Sequence, residues 1–299
     1  MLCSCVGWRA ILWAVMPKQE KTIFKRGSTT YYFSSKFFPR KVRHDVFRLY
    51  SFVRVADDYV DEQPAQPKKL EELENRYKAA IADTNFESIT HDWDDIDTRV
   101  VKNMVQVSRK YKFDPAWVPA FLEAMKSDIT AKPRTSIESS LEYVYGSAEV
   151  IGLMMAKIMK LPDEAFHAAK LQGRAMQWIN FVRDIAEDND LGRRYIPSAD
   201  LKKFGLKDLR EETARANPEA FKKLIKLQIK RYRDWQKEAS EGFSYIPRRL
   251  RVPLETAADM YNWTADEIEK DPFIVFTKKV KPRKRRVLIK ASRNTIKPR

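Results

Sequence analysis

Residues 171–197 read LQGRAMQWINFVRDIAEDNDLGRRYIP. Gln177, Asn180, Asp184 and Asp188 follow the spacing i, i+3, i+7, i+11, which on an α-helix makes one polar stripe about three turns long. Their neighbours Met176, Trp178, Ile179, Phe181, Val182 and Ile185 are apolar. Such a stripe is costly to bury unless it binds something. The helical period extends outward in both directions, with apolar residues recurring at that spacing over 45–61, 99–111, 116–129, 138–160, 164–188, 218–240 and 253–269. Prolines fall mainly between these runs, and Pro39, Pro64, Pro67, Pro115, Pro133, Pro162, Pro197, Pro247 and Pro272 read as helix boundaries. Strict period-two alternation is lacking. The pattern predicts an all-α protein of eight to ten helices in one domain, from about residue 20 to 275.

Composition supports this. A chain of 299 residues with 43% hydrophobic content can bury a full core. Only 8 glycines occur, with no GxGxxG or P-loop pattern, which argues against bound NAD or ATP. The two cysteines, Cys3 and Cys5, cannot staple the body of a fold and point to a reducing, cytoplasmic compartment. Residues 1–16 are apolar but too short to span a bilayer, and they lack the basic start of a secretory signal. Met16 is the favoured true start, with 1–16 a non-native or disordered extension; a short membrane-surface anchor is the alternative. Residues 278–299 supply eleven Lys/Arg and no acid, against a formal net charge of +16 for the chain. This stretch reads as a solvated, disordered tail, or as a surface for anionic membrane or nucleic acid.

A second acidic cluster lies at residues 54–62, RVADDYVDE. Asp57 and Asp61 share a helix face, about 6 Å apart along the axis, with Arg54 three residues earlier and Asp58 about 100° round. Alone, the motif reads first as an exposed charged face. Paired with the stripe at 177–188, it suggests two helices that face each other across metal ions. Oxygen ligands without histidine or cysteine suit Mg²⁺, which shares its shell with water and substrate phosphates. Arg183, Arg193 and Arg194 are candidate guanidinium forks for phosphate oxygens. No Glu-x-x-His pair supports a di-iron site, whereas a two-metal nuclease stays open on the carboxylates alone. The apolar, methionine-rich stretch YVYGSAEVIGLMMAKIM at 143–159 suits a greasy substrate, or ordinary core. HDWDDID at 91–97 reads as a solvated loop or helix start, and His44, His91 and His167 are too scattered for zinc.

Taken together, these residues resemble the squalene and phytoene synthase family over roughly Thr22 to Phe276. Asn180, Asp184 and Asp188, followed by Gly192, Arg193, Tyr195 and Pro197, match its N-x-x-x-D-x-x-x-D helix and G-R-x-Y-x-P turn; residues 54–61 match R-x-x-D-D-x-x-D. STTYYFSSKFFP at 28–39 is similar to the family's opening segment, and Tyr143 to Gly152 to its Y-C-Y-x-V-A-G-x-V-G. The resemblance implies an isoprenoid synthase fold over 17–277, with 278–299 as a basic tail, and head-to-head condensation of two prenyl diphosphates. Carried over by position, Asp57, Asp58, Asp61, Asn180, Asp184 and Asp188 are the metal set, for Mg²⁺ with Mn²⁺ as a substitute. Ser28, Thr30, Arg54, Gln177 and Arg183 contact diphosphate. Tyr143 stands beside the reacting carbons, and Ile151, Gly152 and Ser35 line the tunnel.

Several positions depart from the family pattern: Thr29, Ala124 (four before Asp128), Glu149 and Ala186. Ser147 and Glu149 are expected to make the tunnel wall near Tyr143 more polar. Small residues at Ser34 and Ser35 favour a C20 substrate, hence geranylgeranyl diphosphate and phytoene without NADPH. Farnesyl diphosphate and a C30 product are the alternative. Peripheral membrane contact through the tail, a monomer with a dimer as alternative, and no nucleic acid complete the expectations. The rival class, a basic helical nucleic-acid binder, leaves the two carboxylate helices unexplained.

Overall fold

Helix after helix follows from buried stripes of 3.6 period in the computed structural model, which describes residues 34–84 and 95–296. In order these are α1 Arg40–Asp61, α2 Pro67–Ala82, α3 Ile96–Tyr111, α4 Trp117–Ile129, α5 Ile137–Val144, α6 Val150–Ile158, α7 Phe166–Arg183, α8 Ile185–Asp190, α9 Ser198–Lys203, α10 Glu211–Ala216, α11 Pro218–Glu241, α12 Arg248–Lys270, α13 Ile274–Thr277 and α14 Lys284–Ile296. No strand occurs among the described residues. Proline punctuation explains many starts, since Pro39, Pro197 and Pro247 precede α1, α9 and α12, and Pro67 and Pro218 open α2 and α11. Helix α2 was not among the periodic runs, although Leu70, Leu73, Tyr77 and Ala80 form its buried stripe. Helix α12 begins five residues before Pro253, which it contains.

Helix α7 is the centre of the molecule. It packs against α11, α6 and the segment joining α5 to α6. Trp178 is fully buried there, edge-on to Trp235 at 5.2 Å and to Phe181 at 5.9 Å. Two glycines let backbones meet: a Cβ at Gly152 would lie 2.2 Å from the Ala169 carbonyl oxygen, and one at Gly173 would lie 2.4 Å from that of Ala148. Between α5 and α6, residues Tyr145–Glu149 form a π-helical turn instead of the continuous helix expected over 138–160. The wider turn re-aims the side chains it carries. Ser147 faces the central cavity, whereas Glu149 turns onto α7, where it pairs with Arg174 at 2.7 Å and Lys170 at 3.6 Å. The expectation that both residues make the tunnel wall polar therefore holds for Ser147 alone.

The basic C-terminal stretch differs most from its solvated-tail reading. Val280 is buried, and α14 lays Val287, Ala291 and Asn294 against α12. That spacing of i, i+4, i+7 is one helical stripe, which accounts for the packing. Asn294 Nδ2 donates to Asp259 Oδ2 at 2.9 Å, Lys290 pairs with the same carboxylate at 3.4 Å, and the Arg286 guanidinium sits 4.6 Å above the Trp263 ring. The packed fold thus runs past 277 to Ile296. Deleting residues 284–299 uncovers this seam and removes two partners of buried Asp259, so it should lower stability by about 3 kcal/mol. Thermal melts followed by circular dichroism should show a fall of roughly 5–10 °C. A solvated tail would leave the midpoint unchanged.

Candidate active site

Both carboxylate helices open onto one cavity of about 680 Å³. Helix α1 contributes Arg54, Asp57 and Asp61, while α7 and α8 contribute Gln177, Asn180, Arg183, Asp184, Glu187 and Asp188. The stripe on α7 is broken at Asp184 (φ −99°), yet Asp184 N still donates to Asn180 O and Asp188 N to Asp184 O, both at 2.8 Å, so the three residues stay on one wall. Beyond the carboxylates the walls become apolar, with Ile151, Gly152, Met155 and Met159 on one side and Phe243, Ile246 and Leu254 on another. Ser34 and Ser35 are buried on the same wall as Phe38 and Leu49.

Two expected residues lie elsewhere. Asp58 is off the cavity wall and pairs with Arg54 along α1. Its position about 100° round from Asp57 carries it away, so it does not join the candidate metal set. Arg194 likewise turns outward, donating to Ser198 Oγ at 2.7 Å. Ser28 and Thr30, together with residues 1–16 and 91–94, lie outside the described residues. Of the acidic stretch at 91–97, Asp95 caps α3, its Oδ1 accepting from Thr98 N and Arg76 Nη1, each at 2.9 Å, in accord with a helix start.

The carboxylates are held by cations from separate elements. Arg54 Nη1 lies 2.8 Å from Asp57, Arg193 Nη1 2.6 Å from Asp61, and Arg183 Nε 2.8 Å from Asp184. Lys279, from the segment before α14, reaches Asp184 at 3.3 Å and also pairs with Glu187. Negative charge still exceeds what these pairs absorb. Burial, and then the charge of Asp61, raise the Asp57 carboxyl to about 7. Burial, and then Asp184, push Asp188 well above the ordinary range, with Asp61 contributing from the opposite wall. Asp184 behaves in the opposite way, because Arg183 and Lys279 outweigh its burial and hold it below the usual carboxylate value.

These features fit a hard divalent cation. The donors are oxygens, they repel one another, and Asn180 Oδ1 is a buried acceptor without a hydrogen-bond partner. Among the described residues no three acidic, histidine or cysteine side chains converge tightly enough to cage an ion alone. Donors spread over two walls suit Mg²⁺, which retains water and shares phosphate oxygens.

Sequence reasoning missed several wall residues. Lys279 and Lys281 both reach the cavity, and Lys281 is held below its ordinary pKa by burial and by the charges of Lys279 and Arg183. That cluster of cations is arranged for an anion. Its signal was the buried Val280 between two lysines in a non-helical segment, an alternation that turns both lysines the other way. Asp128, on α4, lies outside both acidic clusters. It is buried on the cavity wall and accepts from Tyr143 Oη at 2.6 Å and Tyr195 Oη at 2.7 Å; burial raises its carboxyl to about 6. The Tyr143 ring is flanked by Arg134, 4.7 Å above it, and by Tyr195, 4.8 Å between centroids. The ring of Tyr143 is thus packed between neighbours while its hydroxyl is engaged by Asp128.

Comparison with known proteins agrees with this geometry. The profile of the family described as Squalene/phytoene synthase matches residues 24–286. A curated relative, the 15-cis-phytoene synthase of Pantoea ananas, is 27% identical over 255 residues, covering 81% of this chain and 79% of its own. Among solved structures, squalene synthase HpnC from Alicyclobacillus acidocaldarius superposes with a TM-score of 0.72 at 22% identity, over 85% of this chain and 93% of its own. A dehydrosqualene synthase solved with a ligand gives 0.70 at 22% identity, over 92% and 93%. At these identities the two structures establish the fold.

Carboxyls whose folded pKa is raised favour the folded state at low pH, and that contribution is lost as pH climbs through the raised values. For Asp57 and Asp128 the window runs from about 4 to about 7. A bound divalent ion offsets the loss, because it takes the deprotonated ligands. The rise in melting midpoint on adding Mg²⁺ should therefore be larger at pH 8 than at pH 5.5. Equal shifts at both pH values, or none, would remove the carboxylate cluster as the cation site.

Proposed function

Because the chain belongs to the squalene/phytoene synthase family, and so is a prenyltransferase, we propose that it condenses two geranylgeranyl diphosphates head to head into phytoene with Mg²⁺ as cofactor. The observation that carries this reading is the cavity itself: carboxylates and cations at one end, an apolar channel at the other. Asp57, Asp61, Asn180, Asp184 and Asp188 would hold the metal. When bound, Mg²⁺ supplies positive charge that neutralises a leaving diphosphate.

The chain's own residues perform the rest. Arg54, Arg183, Lys279 and Lys281 bind and orient phosphate oxygens at the charged end, so negative charge that develops as the C–O bond breaks meets fixed positive charge. Ionisation leaves an allylic cation, which the double bond of the second substrate attacks; loss of one proton gives a cyclopropylcarbinyl diphosphate. A second ionisation, rearrangement and proton loss give the C40 hydrocarbon and the second diphosphate. Walls such as Met155, Met159 and Phe243 exclude water that would quench either cation. Tyr143 commits its proton to Asp128 Oδ2, which leaves its oxygen to act as an electron donor toward the cation. Small side chains at Ser34 and Ser35 and the phytoene synthase relatives support the C20 substrate.

Purified protein, Mg²⁺ and geranylgeranyl diphosphate without NADPH should yield phytoene, identified by mass after extraction. No C40 hydrocarbon would overturn the reading, and a C30 hydrocarbon from farnesyl diphosphate alone would reassign the substrate. Asp61→Ala and Asp184→Ala should each lower kcat about 10³-fold with helicity intact. For Asp128→Asn the expected loss in kcat is on the order of 10²-fold at little change in KM, with the cyclopropylcarbinyl diphosphate accumulating. Unchanged partition between intermediate and product would leave Asp128 a purely structural residue.

A further inference from the structure

We propose that α14 is a docking helix for an anionic bilayer, seated through Ile289 and Ile296 with Arg285 and Arg293 beside them. The helix has two faces. Val287, Ala291 and Asn294 are buried against α12, and the opposite face is centred on Ile289 and Ile296, seven residues apart and thus on nearly the same heading. Ile289 is 44% exposed and Ile296 75%, among the few large hydrophobic residues so open to solvent within the described chain. Arg285 and Arg293 stand within about 40° on either side of Ile289. Both are exposed, and neither forms an ion pair among the described residues. The helix contains no acidic residue.

Charge and apolarity together select the occupant. A polyanion such as nucleic acid would be met by the arginines alone, and isoleucines at the centre of the face would gain nothing from a phosphate backbone. A bilayer uses both, since the side chains enter the acyl boundary while the guanidinium groups meet anionic headgroups. No helix of the described residues, α14 included, is long and apolar enough to cross a membrane, so α14 would lie along the surface.

Its direction bears on the cavity. Contacts of Arg286 with Trp263 and of Asn294 with Asp259 and Thr256 run α14 antiparallel to α12. Ile296 therefore lies toward the start of α12, where Arg248 and Arg249 are exposed and where Pro253 and Leu254 border the apolar part of the cavity. Resting on the reading above, a water-insoluble hydrocarbon formed in that cavity has its lipid sink beside its apolar end.

Sedimentation with vesicles of phosphatidylcholine, with and without phosphatidylglycerol, tests the surface independently of catalysis. The full chain should bind the phosphatidylglycerol vesicles and not the neutral ones. Arg285→Gln/Arg293→Gln should weaken partition about 25-fold, roughly fivefold per charge. Ile289→Ser/Ile296→Ser should weaken it about tenfold, and both double variants should keep the wild-type melting midpoint and detergent-supported turnover. Equal binding to both vesicle types, or an isoleucine variant that binds like wild type, would overturn the proposal. So would tight binding of duplex DNA that survives the isoleucine changes. Vesicle binding by a protein that makes no hydrocarbon would leave the docking surface standing and remove the synthase reading.

Discussion

The crowding of aspartates around one cavity is the constraint on which the rest of the structure depends. Asp57 and Asp61 on α1 share the cavity with Asp184, at the joint of α7 and α8, and Asp188 on α8; burial first, and then Asp61 for the one and Asp184 for the other, raise the proton affinity of Asp57 and Asp188. Holding such groups together requires cations at fixed places and a rigid scaffold behind them. Each cation comes from a different part of the chain: Arg54 from α1, Arg183 from α7, Arg193 from the turn after α8, and Lys279 from the segment before α14. Behind the stripe, Trp178 and its aromatic neighbours lock α7 in rotation. Six carboxylates and five cationic side chains line the cavity, so it is near neutrality. A divalent ion that arrives with a diphosphate adds little net charge to such a site, whereas either partner alone is less well balanced.

The apolar half of the cavity depends on the same helix from its other side. Gly152 and Gly173 bring the backbones of α6, the π-helical turn and α7 into contact. This leaves Met155 of α6, and Met159 just after it, to shape the channel, while Met154 packs in the core. The π-helical turn separates the two environments, since it sends Ser147 to the cavity and Glu149 to Arg174 on α7. A regular α-helix through Tyr145–Glu149 would rotate these side chains relative to the walls on either side.

Legibility in the sequence followed periodicity. The stripe Gln177, Asn180, Asp184, Asp188 and the pair Asp57, Asp61 were readable because 3.6-residue spacing alone decides which side chains share a face. The same rule placed Asp58 about 100° away, where it is found. What periodicity could not reveal was which exposed-looking charge meets a distant partner. Eleven basic residues masked the short stripe of Val287, Ala291 and Asn294, so the last helix read as solvated chain. Lys279 was counted as bulk charge, and its pairing with Asp184, 95 positions earlier, is a tertiary fact. Glu149 was placed on the wrong wall because a π-turn leaves no reliable trace in one sequence.

Asp128 is a buried carboxylate outside both clusters that gathers two tyrosines on the cavity wall. Two tyrosine hydroxyls donate to it from within the cavity wall, so both phenolic protons are committed to its carboxylate. A tyrosine with its proton free could donate to an electron-rich alkene or to a diphosphate oxygen. Held by Asp128, it has no free proton to offer but keeps lone pairs, which in the proposed reaction would stabilise positive charge without ending it. Arg134 and Tyr195 against the ring keep the group from rotating out of that role. The raised proton affinity of Asp128 follows from its burial and persists although both tyrosines and Arg193 oppose it. The carboxyl that directs the tyrosines thus sits within reach of neutrality, and the strength of the donor oxygen at Tyr143 is coupled to the charge that Asp128 carries.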